Sequence, residues 1–234
     1  MKINGPLYDA IFVKRLNRFL TLIDVDGKIY KSHLPDPGRL NELLIPGAKL
    51  KVRYVNLEFS KRKTSWTTLM VKQSKQWISI DSTLPNRFIK YLLERKNLPQ
   101  FKDYKLIRPE VVVGEHRFDF LLEKLAEPFY LEVKSVTYVE KGMAKFPDAV
   151  TERGMKHAYS LAQMSEQGEK TGILFVCQRS DATKFRPMWN RDPKFSEALV
   201  FAERAGVQIN VIVTKVSPTS ITYYKEISYD LTPF

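Results

Sequence analysis

The run Ile173–Cys177 is apolar at every position, and a strand without alternation has to be covered on both faces. Such a strand lies inside a sheet with helices on either side, so the chain must supply those helices nearby. Thr151–Ser165 has helical periodicity, with Thr151 placed to cap its start and Gly168 just past its end. Lys194–Ala205 is a second helix that stops at Gly206, and Gln208–Val213 returns as another apolar strand. Upstream, Pro85–Lys96 puts Phe88, Leu92 and Leu93 on one helical face. Between these helices, Glu110–Val113, Arg117–Leu122 and Phe129–Val136 read as strands. This order describes an α/β domain.

The first 80 residues follow a different pattern of short strands and turns. Leu20–Val25 and Lys28–Leu34 flank Asp26-Gly27, a two-residue hairpin signal. Pro35-Asp36-Pro37-Gly38 ends the second strand, and Arg39–Leu44 has room for a helical turn or two before Pro46-Gly47. Lys49–Leu57, Trp66–Gln73 and Trp77–Ile80 are strand-like. Five or so short strands with one small helix fit an OB-fold-like barrel. The expected fold class is therefore α+β with two domains: an N-terminal OB-fold-like small β-barrel over residues 1–82 and a C-terminal α/β domain over 83–234. No internal repeat or low-complexity tract interrupts this division.

Charge is distributed unevenly. The chain has 38 Lys and Arg against 26 Asp and Glu, a formal net charge of +12. Residues 1–80 hold 15 basic and 6 acidic side chains, so most of the excess lies there. Such an excess points to a polyanionic partner, nucleic acid first, or else belongs to a basic protein that it only keeps soluble. A membrane surface is set aside because no basic amphipathic helix is present, and no apolar stretch is long enough to span a bilayer. The single cysteine, Cys177, cannot form an internal disulfide and sits in the apolar run. With no signal or transit pattern at the N-terminus, the chain reads as cytoplasmic, with a reduced, buried thiol. Nothing in the sequence indicates an oligomeric state.

The chemistry centres on Asp119 in RFDFLLE and on Glu132 and Lys134 in YLEVKSV. Two apart on a strand, Glu132 and Lys134 leave on the same face, while Leu131 and Val133 point into the core. If the strands carrying Asp119 and Glu132 pair as a hairpin, the two carboxylates converge beside a lysine. Two carboxylates hold a hard cation such as Mg²⁺ or Mn²⁺, which polarises a phosphate and activates water, and a lysine can orient that water. The same pattern also fits a solvated strand face with ordinary charges. Glu110 is either a further metal ligand or a surface carboxylate. Downstream, Arg153, Lys156 and His157 lie near the start of a helix, where a phosphate would be welcome, or else on a solvated face. In the barrel, Lys14, Arg15, Arg18, Arg53, Lys61, Arg62 and Lys63 are candidates for phosphate contacts, with Phe19, Tyr54, Phe59 and Trp66 for base stacking. Trp66 belongs equally well in a core. Arg39 either meets a phosphate or fixes the Pro-Gly turn, and Asp148 reads as a turn or capping residue. KFRPMWNRDP reads as a loop, broken by Pro187 and Pro193, that either touches DNA with Lys184, Arg186 and Arg191 or packs on the sheet edge.

DPGRLNELLIPG, RFDFLLE, LEVKSVTYVEKGMAKFPDAVTERGMKH and the early KRLNRFL together resemble the sugar fermentation stimulation protein A family, nearly along the full length. The resemblance implies DNA binding, an N-terminal OB-fold and a C-terminal domain similar to the PD-(D/E)xK nucleases. It carries the nuclease-like positions onto Asp119, Glu132 and Lys134, with Glu110 as a weaker fourth. The expected function is a DNA-binding protein with a Mg²⁺- or Mn²⁺-dependent nuclease-like site. The alternatives are a regulatory DNA-binding protein on a nuclease-like scaffold, or a protein that binds or processes RNA.

Overall fold

A computed structural model describes residues 1–59 and 62–233 of the chain. Strands β1 (Tyr8–Asn17), β2 (Leu20–Val25), β3 (Lys28–His33), β4 (Lys49–Tyr54) and β5 (Trp66–Gln73) pair in the order β3-β2-β1-β4-β5. A parallel contact of Ser32 and His33 with Trp66 and Thr67 closes them into a five-stranded OB barrel. In β2 the alternation is regular: Thr21, Ile23 and Val25 are buried and their neighbours are not. Ile23 and Val25 meet Phe12, Leu34, Leu50, Val52 and Val71 in the barrel core. The Asp26-Gly27 turn has positive φ at both residues, the backbone that a tight hairpin between twisted strands requires.

β6 (Gln76–Ser79) pairs with β5 and leads to α1 (Leu84–Glu94). Strands β7 (Lys105–Val113), β8 (His116–Lys124) and β9 (Glu127–Val136) then run antiparallel, and β10 (Val139–Glu140) and β11 (Met143–Phe146) follow. Helix α2 (Glu152–Glu166) precedes β12 (Lys170–Cys177), and β13 (Lys184–Pro187) precedes α3 (Pro193–Arg204). β14 (Gln208–Val216), β15 (Ile221–Glu226) and β16 (Ser228–Tyr229) complete the chain. β9, β12 and β14 are parallel neighbours, and a contact between Trp77 and Val216 joins the barrel strands to this sheet. β10, β11, β13 and β16 form a small second sheet.

The apolar run behaves as its composition demands. Ile173, Phe175 and Cys177 pack under α2 and α3, against Leu161, Phe195 and Leu199. Leu174 and Val176 pack on the opposite face under α1, against Phe88 and Leu92. Cys177 is fully buried, and that burial pushes its thiol up to about 12. The Thr151 hydroxyl accepts from the Gly154 N–H at 3.1 Å, capping α2 as expected.

Three segments differ from the sequence expectation. Arg39–Leu44 makes one hydrogen-bonded turn, Leu44 N–H to the Leu40 carbonyl, and no helix. KFRPMWNRDP is not a loop throughout: Lys184–Pro187 is strand β13, with Phe185 fully buried, and Pro193 opens α3. Proline suits both places, because the first helical position needs no N–H and a strand can end on one. Finally, β1 has no counterpart in the sequence reading, because its exposed apolar and basic residues mask the alternation.

Candidate active site

The β8–β9 hairpin turns on Leu125-Ala126, both at positive φ, and sets Phe120 opposite Leu131. That register brings Asp119 beside Glu132, and Asp119 Oδ2 accepts the Val133 N–H at 2.8 Å. Leu131 and Val133 face the core under α1, so Glu132 and Lys134 leave on the α2 side. Lys134 Nζ lies 2.6 Å from Glu132 Oε1. The two carboxylates and the lysine therefore meet, as their spacing predicts.

Glu132 is not on a solvated face; it is 4% exposed. His157, one turn into α2 and equally buried, closes over it with Nδ1 2.7 Å from the same Oε1. Arg153 Nε donates to His157 Nε2 at 3.4 Å, which leaves Nδ1 as the protonated nitrogen donating to Glu132. Burial alone would raise the Glu132 carboxyl, but the Lys134 ammonium and the His157 hydrogen bond outweigh it and hold it below the ordinary value. The other oxygen, Oε2, is buried without a hydrogen-bond partner.

Asp119 is shifted the opposite way. Burial first and the charge of Glu132 second raise it to about 6, against the Val133 N–H, Lys134 and a hydrogen bond from Asn86 Nδ2. Asn86, in the first turn of α1, has no signal in the sequence that connects it to this site.

These groups floor a cleft of about 540 Å³ between the barrel and the α/β body. Its walls are the loop after β3 (Asp36, Pro37, Gly38) and the segment from Phe146 to Arg153. The two walls touch. Asp148 Oδ2 accepts the Leu40 N–H at 3.3 Å, and a Cβ added to Gly38 would lie 2.5 Å from that oxygen. Asp148 is thus a bridge between the two halves of the chain as well as a turn residue. Asp36 is pushed up to about 7 by burial, against the Gly38 N–H bond, with Asp148 adding to the rise.

Several candidates lie elsewhere than the sequence suggests. Glu110 is exposed, 3.9 Å from Arg117, and does not line the cleft. It occupies a positive-φ position in β7, which turns its side chain to solvent. Arg15 is committed to the backbone: its guanidinium donates to the carbonyls of Asn17, Arg18, Asp36 and Arg39, fixing the loop after β3. Buried His157 belongs to Glu132 and is closed to a DNA phosphate. Trp66 is a core residue edged by Tyr8, Tyr30 and Tyr54. Arg53 bonds the Asn4 carbonyl, and Arg62 bonds the Thr67 hydroxyl. Lys14, Arg18, Arg39, Lys63, Arg153 and Lys156 are exposed, and Arg18 and Arg153 line the cleft itself. Lys61 and the Phe59 side chain lie outside the described residues.

Among the described residues no three His, Cys, Asp or Glu side chains form a ready metal cage. No helix among them is long and apolar enough to cross a membrane.

Comparison with known proteins agrees with this architecture. Residues 13–80 match the SfsA N-terminal OB domain, and residues 83–220 match the sugar fermentation stimulation protein RE domain. A sugar fermentation stimulation protein homolog from Acetivibrio thermocellus is 42% identical over 217 residues, covering 92% of each chain. A homolog from Desulforamulus reducens is 39% identical over 225 residues, covering 96% of this chain and 93% of the relative. The structure of Pyrococcus furiosus SfsA in complex with Ca²⁺ aligns with a TM-score of 0.89 at 29% identity, over 98% of both chains. With both halves matched and relatives similar from end to end, the chain belongs to the sugar fermentation stimulation protein family.

Proposed function

We propose that the chain binds DNA and hydrolyses its phosphodiester bonds with a divalent cation, Mg²⁺ or Mn²⁺, held by Asp119 and Glu132. The observation that carries this reading is the buried, unpartnered Oε2 of Glu132 beside a carboxyl raised to about 6. An orphaned buried carboxylate oxygen is costly unless something fills its place. A cation does so, and it also removes the repulsion that raises Asp119. Two carboxylates without a full protein cage suit a cation that keeps waters and shares phosphate oxygens. The Pyrococcus furiosus relative was solved with Ca²⁺, another hard, oxygen-seeking cation.

When bound, the cation would polarise the phosphate and lower the pKa of a water. The chain's own groups do the rest. Lys134, held by Glu132, puts its ammonium where it can orient the attacking water and offset charge growing on the phosphate. His157 fixes the Glu132 carboxylate from behind, and Val133 N–H and Asn86 fix Asp119. Exposed Arg18, Arg39, Lys63, Arg153 and Lys156 supply phosphate contacts around the cleft. Glu110 has no part in it.

The test is cleavage of labelled DNA with Mg²⁺, Mn²⁺ or EDTA by wild type, Asp119→Ala and Lys134→Ala, beside calorimetric titration of Mn²⁺ into each. Metal-dependent cleavage lost in both variants, with Mn²⁺ binding lost in Asp119→Ala, supports the proposal. Equal activity in all three proteins would be contamination and would refute it. Binding of DNA without cleavage would make this a DNA-binding protein on a nuclease-like scaffold.

A further inference from the structure

The cleft over Asp119 and Glu132 is one of four cavities that adjoin in a row. Arg18, Gly38 and Val150 line both the cleft and a second cavity of about 460 Å³ on the barrel side. Asn17 is shared between that cavity and a third of about 310 Å³, bordered by Phe19, His33, Arg62 and Lys63. On the other side, Glu152 and Arg153 are shared with a fourth of about 440 Å³, reached over Lys156 and Arg117. Shared lining residues set these cavities side by side, in a row from the barrel past the carboxylates and out along α2.

Charge along this path is sorted. The two barrel-side cavities are lined by Arg18, Arg39, Arg62 and Lys63, beside the backbone-bound Arg15, with no carboxylate among the described lining residues. The central cleft reverses this, with Asp36, Asp119, Glu132, Asp148 and Glu152 against Arg18, Lys134 and Arg153. Beyond it, basic residues again outnumber acidic ones. A polyanion is thus attracted on both sides of one acidic point, and that point is where a cation belongs. An aromatic ring stands at the barrel end: Phe19 is 49% exposed, and its backbone is pinned by an N–H bond to Asn17 Oδ1 at 2.9 Å.

The path is also open to solvent along its length. Where the central and second cavities meet, their walls touch at a neck: Gly38 leaves no room even for a Cβ against Asp148, and the Leu40–Asp148 bond ties the two walls, so a strand lies over this neck and not through it. Each cavity has the volume of a small-molecule site. An unpaired strand can lay a base on the exposed Phe19 ring, whereas a duplex keeps its base faces stacked within itself.

We infer that the four cavities form the track of one unpaired DNA strand, which stacks on Phe19, passes over the Gly38–Asp148 neck and the carboxylates, and leaves past Lys156. This rests on the DNA reading proposed above and adds strand type and route. Stacking on an exposed ring tolerates any base, so the track imposes no strict sequence.

The experiment is fluorescence anisotropy, in EDTA, with a labelled single strand of about 12 nucleotides and the same strand annealed to its complement. The expected result is at least tenfold tighter binding of the single strand. Phe19→Ala and Lys156→Ala, exposed and at opposite ends, should each weaken it by about tenfold. They differ in salt dependence: Lys156→Ala lowers the slope of log affinity against log salt by about one, whereas Phe19→Ala leaves it unchanged. A duplex bound as tightly as the single strand overturns the track but leaves the DNA reading standing. So does wild-type affinity in either variant. Binding to neither oligonucleotide overturns both.

Discussion

Replacing Asp119 with Asn should stabilise the metal-free protein at neutral pH. An unfolded aspartate titrates near 3.9. In the fold, burial and then the Glu132 charge raise Asp119 to about 6. The native state therefore holds this proton more tightly than the unfolded chain does, and ionising the group costs stability. That cost is absent below about pH 4, grows as pH rises through about 6 and is constant above. The gap between 3.9 and about 6, at about 1.4 kcal/mol per pH unit, is worth roughly 3 kcal/mol at pH 7. Solvent reaching the partly exposed side chain reduces this to about 2 kcal/mol. An Asn side chain keeps an oxygen for the Val133 N–H, and the Asn86 amide can turn to offer its oxygen to the new amide. For a chain of this length, about 2 kcal/mol raises Tm by about 4–8 °C. Thermal unfolding in EDTA at pH 4 and pH 7.5 measures the difference, which should appear at the higher pH and vanish at the lower. Adding Ca²⁺ or Mn²⁺ should then stabilise wild type and leave Asp119→Asn unmoved. A variant less stable than wild type at pH 7.5, or a gap that persists at pH 4, would refute the reasoning.

Gly38→Ala drives a methyl against the Asp148 carboxylate and should lower stability by about 1–3 kcal/mol, read as a fall in Tm; an unchanged Tm would mean the neck gives way freely. His157→Ala removes a donor from Glu132, so the carboxyl titrates higher and the midpoint of Mn²⁺ binding moves to higher pH. His157→Gln, which keeps an N–H donor, should restore part of that shift, and identical pH profiles for all three proteins would contradict it. Lys63→Ala should weaken DNA binding alike for every sequence and flatten its salt dependence by about one contact, whereas a loss confined to one sequence would remove Lys63 from the phosphate contacts.

What the sequence made legible is what short-range periodicity controls. Alternation put Glu132 and Lys134 on one face, and the pairing of the two neighbouring strands as a hairpin adds Asp119. An unbroken apolar run implied helices on both sides, and both are there. Contacts between distant segments left no such trace. Whether Glu132 would be solvated or buried depended on His157, a helix position 25 residues away whose basic side chain suggested a phosphate contact. Arg15 was equally opaque. An arginine in a basic stretch looks like an anion site until the loop after β3 folds back and presents its carbonyls. Glu110 failed for a local reason: one positive-φ residue breaks the alternation that would have turned it towards Asp119.

The Gly38–Asp148 neck shows why motif strings can mark a joint that neither string reveals alone. Read separately, Asp36-Pro37-Gly38-Arg39 is a turn, and Phe146-Pro147-Asp148-Ala149 is the lead into a helix. Turn chemistry would assign Gly38 to backbone freedom, yet it is absent from the positive-φ residues of the chain. What requires glycine there is the carboxylate of Asp148, joined to Leu40 across 108 positions of sequence. Both segments wall the cleft that holds Asp119 and Glu132, so the contact between them fixes one wall against the other. The residue type at position 38 is therefore a constraint on how the loop after β3 seats against the segment before α2, and a side chain there would push the two walls of the site apart without touching its carboxylates.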